Sequence, residues 1–114
     1  MRMWMVNVRT MCSKHLLGEH VECHMIAGSI NKGRRLDGFV DSNALQLKSL
    51  ITRHNAIAKE MVRRGYRHLT PLAMPKLSNS LTLKVIRSRV NKAKALADLH
   101  ARCEICREPG DYKI

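Results

Sequence analysis

Apolar positions recur at steps of three and four along three stretches of the chain, and this is the spacing of helices with one buried face. The first stretch runs from about Cys12 to Lys32, with Ser13 as its N-cap and Gly33 just past its end. Gly18 and Gly28 weaken it internally. The second follows the turn-rich run RRLDGFVDS and is capped by Asp41 or Ser42; its stripe is Leu47, Leu50, Ile51, His54, Ile57, Ala58 and Met61. Gly65 closes it after Arg63 and Arg64, a basic last turn that suits the helix dipole. Pro71 and Pro75 forbid regular helix through HLTPLAMPKLSNS. A third helix is predicted from near Ser80 to about Glu108, with Val85 or Ile86, Val90, Ala93, Leu96, Ala97, Leu99 or His100, and Cys103 on its apolar side. Pro109-Gly110 stops it, leaving the short tail DYKI. Residues 1–11 read as extended, no segment reads as a strand, and the prediction is all-α: a single compact three-helix domain over 1–114 with an extended N-terminal segment.

Composition narrows the class. A chain of 114 residues with 45% apolar content builds one core. Trp4, Phe39, Tyr66 and Tyr112 are its only aromatic residues, so that core is aliphatic and methionine-rich. The net charge of +12 costs self-repulsion in the compact state and points to a polyanionic partner, nucleic acid first. No run of 18 apolar residues offers a membrane span, and MRMWMVNVRTMC lacks the apolar centre of a signal peptide, so the cytoplasm of a bacterial or phage-infected cell is expected. Arg34, Arg35, Arg63, Arg64, Arg67, Lys84, Arg87, Arg89, Lys92 and Lys94 are the candidates for a DNA-facing surface, mostly through phosphates.

Helix one is too polar for a plain core helix. His15, Glu19 and Glu22 share one stripe, and His20 and His24 a neighbouring one. Three readings are open: a solvated face, a metal site, or a carboxylate held beside a nucleophile from elsewhere. The metal reading includes a zinc deaminase pattern, His20-Val-Glu22 with Cys103-Glu-Ile-Cys106, although Arg102 stands where that pattern has proline.

The start MRMWMVNVRTMCSKHLLGEHVECHMIAGSINKG, with NKGRRLDGF, KEMVRRGY and, more weakly, SRVNKAKAL, resembles the pyrimidine-dimer DNA glycosylase/AP lyase family; RCEICR is similar to a feature of its bacterial branch. The resemblance implies a compact three-helix enzyme that removes a base from damaged double-stranded DNA and nicks the strand by β-elimination, working as a monomer without a required cofactor. It implies that the nucleophile is the α-amine of Met1, that Glu22 is the catalytic carboxylate, that His15 is the family's histidine, and that Arg2 clamps phosphate. Glu19, on the same stripe, is counted with the DNA-facing residues. The chemistry is coherent. As a class, α-amines titrate at roughly 7.7–8.0, so a neutral fraction exists near pH 7 to form a Schiff base with sugar C1′. Arg2, being bulky, argues that Met1 is retained. Val21 and Met25 stand where the family has arginines beside the glutamate, Ala93 replaces a lysine after Arg89, and Tyr112 is all that remains of an aromatic tail that helps recognise the lesion. A non-catalytic helical DNA-binding protein is the main alternative to an enzyme.

Trp4 is expected either to pack in the core or to wedge into DNA. Cys12, Cys23, Cys103 and Cys106 are buried thiols or ligands. A possible structural zinc set joins Cys12 and His15 to Cys103 and Cys106, with Cys23 or His24 as substitutes for His15.

Overall fold

The computed structural model describes residues 1–77 and 81–108. Ser80, the expected start of the third helix, its Pro109-Gly110 stop, and Tyr112 of the DYKI tail lie outside the described residues. Among the described residues the chain is helical with no strand: α1 Ser13–Asn31, α2 Asp37–Asp41, α3 Leu50–Arg63, α4 Leu83–Ile86, α5 Lys92–Arg102 and α6 Glu104–Arg107, with 3₁₀ turns at Val8–Thr10 and Leu47–Ser49. The all-α reading holds.

The first helix ends as expected. Gly33 has φ 69°, and the Arg34 N–H reaches the Ser29 carbonyl, which closes a Schellman turn. Its N-cap, however, is Cys12 rather than Ser13: the Cys12 sulfur accepts the His15 N–H at 3.4 Å. The second helix likewise ends at Gly65, φ 91°, but begins at Leu50. Asp41 and Ser42 do not cap it. They finish the short helix α2, where the Ser42 hydroxyl bonds back to the Gly38 carbonyl and Asn43 turns the chain at φ 59°.

The largest departure is the third helix, which is three pieces. After α4, Ser88 gives its hydroxyl proton to the Val85 carbonyl and accepts the Leu47 N–H, and Asn91 caps α5 by accepting from Lys94 N. Side chains that bond their own backbone compete with helix continuation. Cys103, at φ −138°, ends α5 and caps α6 by accepting the Cys106 N–H. The buried register is accordingly Val85, Val90, Ala95, Leu99 and Cys106, whereas Ala93, Leu96 and Ala97 face solvent.

The N-terminal segment lies against the helices, as its apolar positions require: Met3, Trp4, Val6 and Met11 are buried with Leu16, Ile26, Leu50 and Ile57. Polar groups pin it. Buried Arg53 of α3 binds both carboxylate oxygens of Glu19, at 2.5 and 2.8 Å, and donates to the Val6 carbonyl at 2.6 Å. Buried Arg64 pairs with Glu60 and donates to the Val8 carbonyl at 3.0 Å. Two desolvated cations, one on α3 and one at its C-cap, thus hold residues 6–8, and the Met3 N–H, bonded to the Ala44 carbonyl at 2.7 Å, holds the segment nearer its start.

A candidate active site around residue 1

The pinned segment delivers Met1 and Arg2 to the exposed side of α1. There Met1, Arg2, Trp4, His15, Glu19 and Glu22 line one cavity of about 540 Å³, with Lys14, Phe39 and Arg102 around it. Five residues singled out by sequence, Met1, Arg2, His15, Glu19 and Glu22, are therefore neighbours. The positive charge of the amino terminus acts on the Glu22 carboxyl, and the Arg2 backbone N–H donates to it. Burial is the larger influence and holds the Glu22 carboxyl above the usual carboxylate range, assisted by the charge of Glu19. A carboxyl so placed exchanges a proton more readily near neutrality than an exposed one.

The remaining walls have distinct jobs. The Arg2 guanidinium stacks 3.8 Å from the Trp4 ring centroid and pairs with Asp98 at 3.1 Å. Its Nε is buried with no hydrogen-bond partner among the described residues. Trp4 is 6% exposed, so it packs in the core and offers only its face to this stack. Glu19 is 1% exposed, with both oxygens occupied by Arg53, which commits it to holding the fold. The side chain of Met1 reaches an adjoining cleft of about 450 Å³, formed with Met25, Gly28, Ser29, Lys32, Arg34, Arg35 and Phe39. A larger cleft of about 630 Å³, bordered by Met5, Leu96, Lys92 and Glu108, is mostly apolar, and residue 1 does not line it.

The basic candidates divide by position. Arg34 and Arg35 border the cleft beside Met1. Lys14, Lys32 and Arg102, which sequence reasoning did not select, complete a cationic rim around residue 1. Arg64 is interior, Arg63 is half-buried on Glu60, Lys84 pairs with Asp41, and Arg87 and Arg89 share a separate groove with Lys48. Arg67 and Lys94 are exposed.

Two further clusters use the remaining histidines and cysteines. The Cys12, His15, Cys103 and Cys106 ligand atoms all lie within 4.8 Å of one another and could bind a metal. His15 completes this set; Cys23 is buried elsewhere, where desolvation pushes its thiol up to about 12. His20, His24 and His54 pack with His68, which follows α3. His20 and the Cys103/Cys106 pair therefore fall in different clusters, which dismantles the deaminase pattern.

No curated protein and no solved structure matches this chain. The sequence profile described as pyrimidine dimer DNA glycosylase matches residues 1–74, which include every residue of the amine–carboxylate pair and its arginine. With well over half of its length inside that match, the chain belongs to the pyrimidine dimer DNA glycosylase family.

Proposed function

We propose that the protein removes a damaged base from double-stranded DNA, a pyrimidine dimer by family, and then cuts the strand as an AP lyase, with the α-amine of Met1 as nucleophile. The observation that carries this reading is the shared cavity of the amino terminus and a desolvated Glu22. The neutral amine attacks C1′, the C1′–N bond to the base breaks, and opening of the sugar leaves a C1′ imine. Glu22, as carboxylate, stabilises the cationic sugar and then accepts the C2′ proton; the electron pair of that C–H bond expels the 3′ phosphate. Arg2, in the wall of the same cavity, would hold a strand phosphate through its guanidinium. Seating of the half-buried Met1 side chain against the adjoining cleft favours a retained first residue, because removing it would move the amine one residue away from Glu22.

The test is nicking of UV-irradiated and of abasic duplex DNA. Glu22→Gln is expected to lower cleavage by about a hundredfold or more, the size of a lost general acid–base, with DNA affinity kept within a few-fold. One extra residue ahead of Met1 is expected to be as damaging. Cleavage at the parental rate by both variants contradicts the assignment.

We also infer that Cys12, His15, Cys103 and Cys106 hold a structural zinc ion. A tetrahedral site with Zn–S of about 2.3 Å and Zn–N of about 2.0 Å has ligand–ligand edges of about 3.5 to 3.8 Å. The Cys12 and Cys103 sulfurs are 3.8 Å apart, and His15 Nδ1 is 3.2 and 3.6 Å from the Cys12 and Cys106 sulfurs. Backbone N–H groups of Cys12, His15 and Cys106 donate to these sulfurs, the outer support a thiolate site needs. Such an ion would staple α6, which lies beyond the matched residues, to the start of α1. His15 uses Nδ1 in the cluster, which leaves Nε2 for the cavity that His15 also lines.

A further inference from the structure

Four of the six histidines converge where α1, α3 and the connection after Gly65 meet. His20 and His24 stand one turn apart on α1, His54 faces them from α3, and His68 comes from the segment that carries Pro71 and Pro75. Ring centroids of His20 and His24, His20 and His54, His20 and His68, and His24 and His54 are each 4.9 Å apart; His54 and His68 are 5.1 Å apart. His54 is fully buried and His20 nearly so.

Near-equal separation is not what hydrophobic packing of rings produces, since stacked and edge-on pairs differ in spacing. It is what a common central atom produces. With metal–nitrogen bonds of about 2.0 Å, a tetrahedron of imidazoles has nitrogen–nitrogen edges of about 3.3 Å. The Nε2 atoms of His54 and His68 are 3.3 Å apart.

The nitrogens agree on which atom is the ligand. His54 Nδ1 lies 2.9 Å from the Asn55 amide oxygen and donates to it, which leaves a lone pair on Nε2. The Thr70 backbone carbonyl accepts from the His24 ring. The Nε2 atoms of both His20 and His24 are buried with no hydrogen-bond partner among the described residues. Buried polar atoms are nearly always satisfied, and two such nitrogens in one ring cluster ask for an electrophile. Neutral imidazoles are what borderline divalent cations bind.

We propose that His20, His54 and His68, whose ligand nitrogens all lie within 4.8 Å of one another, form a second divalent-cation site, zinc-type in its ligand chemistry and distinct from the cysteine cluster, with His24, one helical turn from His20, closing on the ion as the fourth ligand. Four protein ligands and the burial of His20 and His54 mark it as structural rather than catalytic. Its effect is to fasten the connection after α3, where Tyr66, Leu69, Met74 and Leu77 are exposed, onto the two long helices. The site does not depend on the repair reading, and its four residues are not those lining the cavity around Met1.

Titration of the untagged, metal-free chain with Co²⁺ tests it. The expected result is saturation at two equivalents per chain. One equivalent brings thiolate-to-cobalt charge transfer in the near ultraviolet; the other brings only the visible bands of four-coordinate cobalt. Cys103→Ser with Cys106→Ser should drop the stoichiometry from two to one and erase the charge-transfer band. His68→Gln, or His24→Gln at a half-exposed position, should also drop it to one while keeping that band, and should speed proteolysis within residues 66–77. Saturation of the parental chain at one equivalent, charge transfer with every cobalt bound, or two equivalents in both histidine variants overturns the proposal. A parental chain that saturates at one equivalent yet still nicks DNA would overturn this site alone and leave the repair reading standing.

Discussion

At the scale of single residues, identical signals carry different meanings. Glu19 and Glu22 sit on one helical stripe and are equally visible in the sequence, yet one is committed to the fold and the other lines the cavity of the amino terminus, where we propose that it does the chemistry. What separates them is Arg53, some thirty residues away, whose burial no local pattern announces. Removing either side of that pair leaves a desolvated charge: Arg53→Met is expected to cost about 3–5 kcal/mol in urea denaturation, and a cost below about 1 kcal/mol contradicts the anchoring role. Glu22 behaves oppositely. Its carboxyl is held above the ordinary range by burial, so its neutral form suits the fold better than its charged form. That preference stabilises fully below the unfolded value and is lost as pH rises through the folded one. Glu22→Gln should therefore melt higher than the parental protein at pH 7, with the gain vanishing in acid. An unchanged or lower Tm at pH 7 would count against a desolvated Glu22. On the proposed role of Glu22, activity and stability are opposed at this side chain.

Among elements, those bounded by strong punctuation were legible. Gly33 and Gly65 close α1 and α3 where the periodicity stops, because each adopts a positive φ that other residues resist. Gly65→Ala should cost about 1–2 kcal/mol, measured by thermal melting; no change would mean that the turn relaxes freely. The third helix was illegible in detail because its breaks come from side chains, Ser88, Asn91 and Cys103, that are compatible with helix until their partners are known. For Ser88 and Cys103 those partners are the Leu47 N–H and the Cys12 cluster, both distant in sequence, and the Asn91 backbone N–H is held by the equally distant Asn43 side chain. The histidine cluster was half visible: His20 and His24 declared a stripe and His54 joined an apolar face, but His68 sits in a segment without periodicity.

Over the whole molecule, the excess of positive charge becomes partly local. The described residues form a flat body, 43 × 31 × 16 Å, and Lys14, Arg102, Lys32, Arg34 and Arg35 surround the two openings that share Met1 and Phe39. This distribution favours approach of a phosphate backbone to the amine. If about six phosphates are met, DNA affinity should fall on the order of a thousandfold between about 50 and about 200 mM salt. Lys32→Ser should reduce the slope by about one. An affinity indifferent to salt would contradict the rim. Sequence gave the sum of the charges; only the fold brings Lys14 and Lys32, on opposite ends of α1, to either side of residue 1.

The central claim is that the first backbone nitrogen is the nucleophile. Its most direct test is borohydride reduction during reaction with abasic duplex DNA, followed by mass mapping of the protein–DNA adduct. The account predicts one covalent link, on the α-amine of Met1. A link on the ε-amine of Lys14, which borders the same cavity, or no adduct from protein that nicks the DNA, would contradict it.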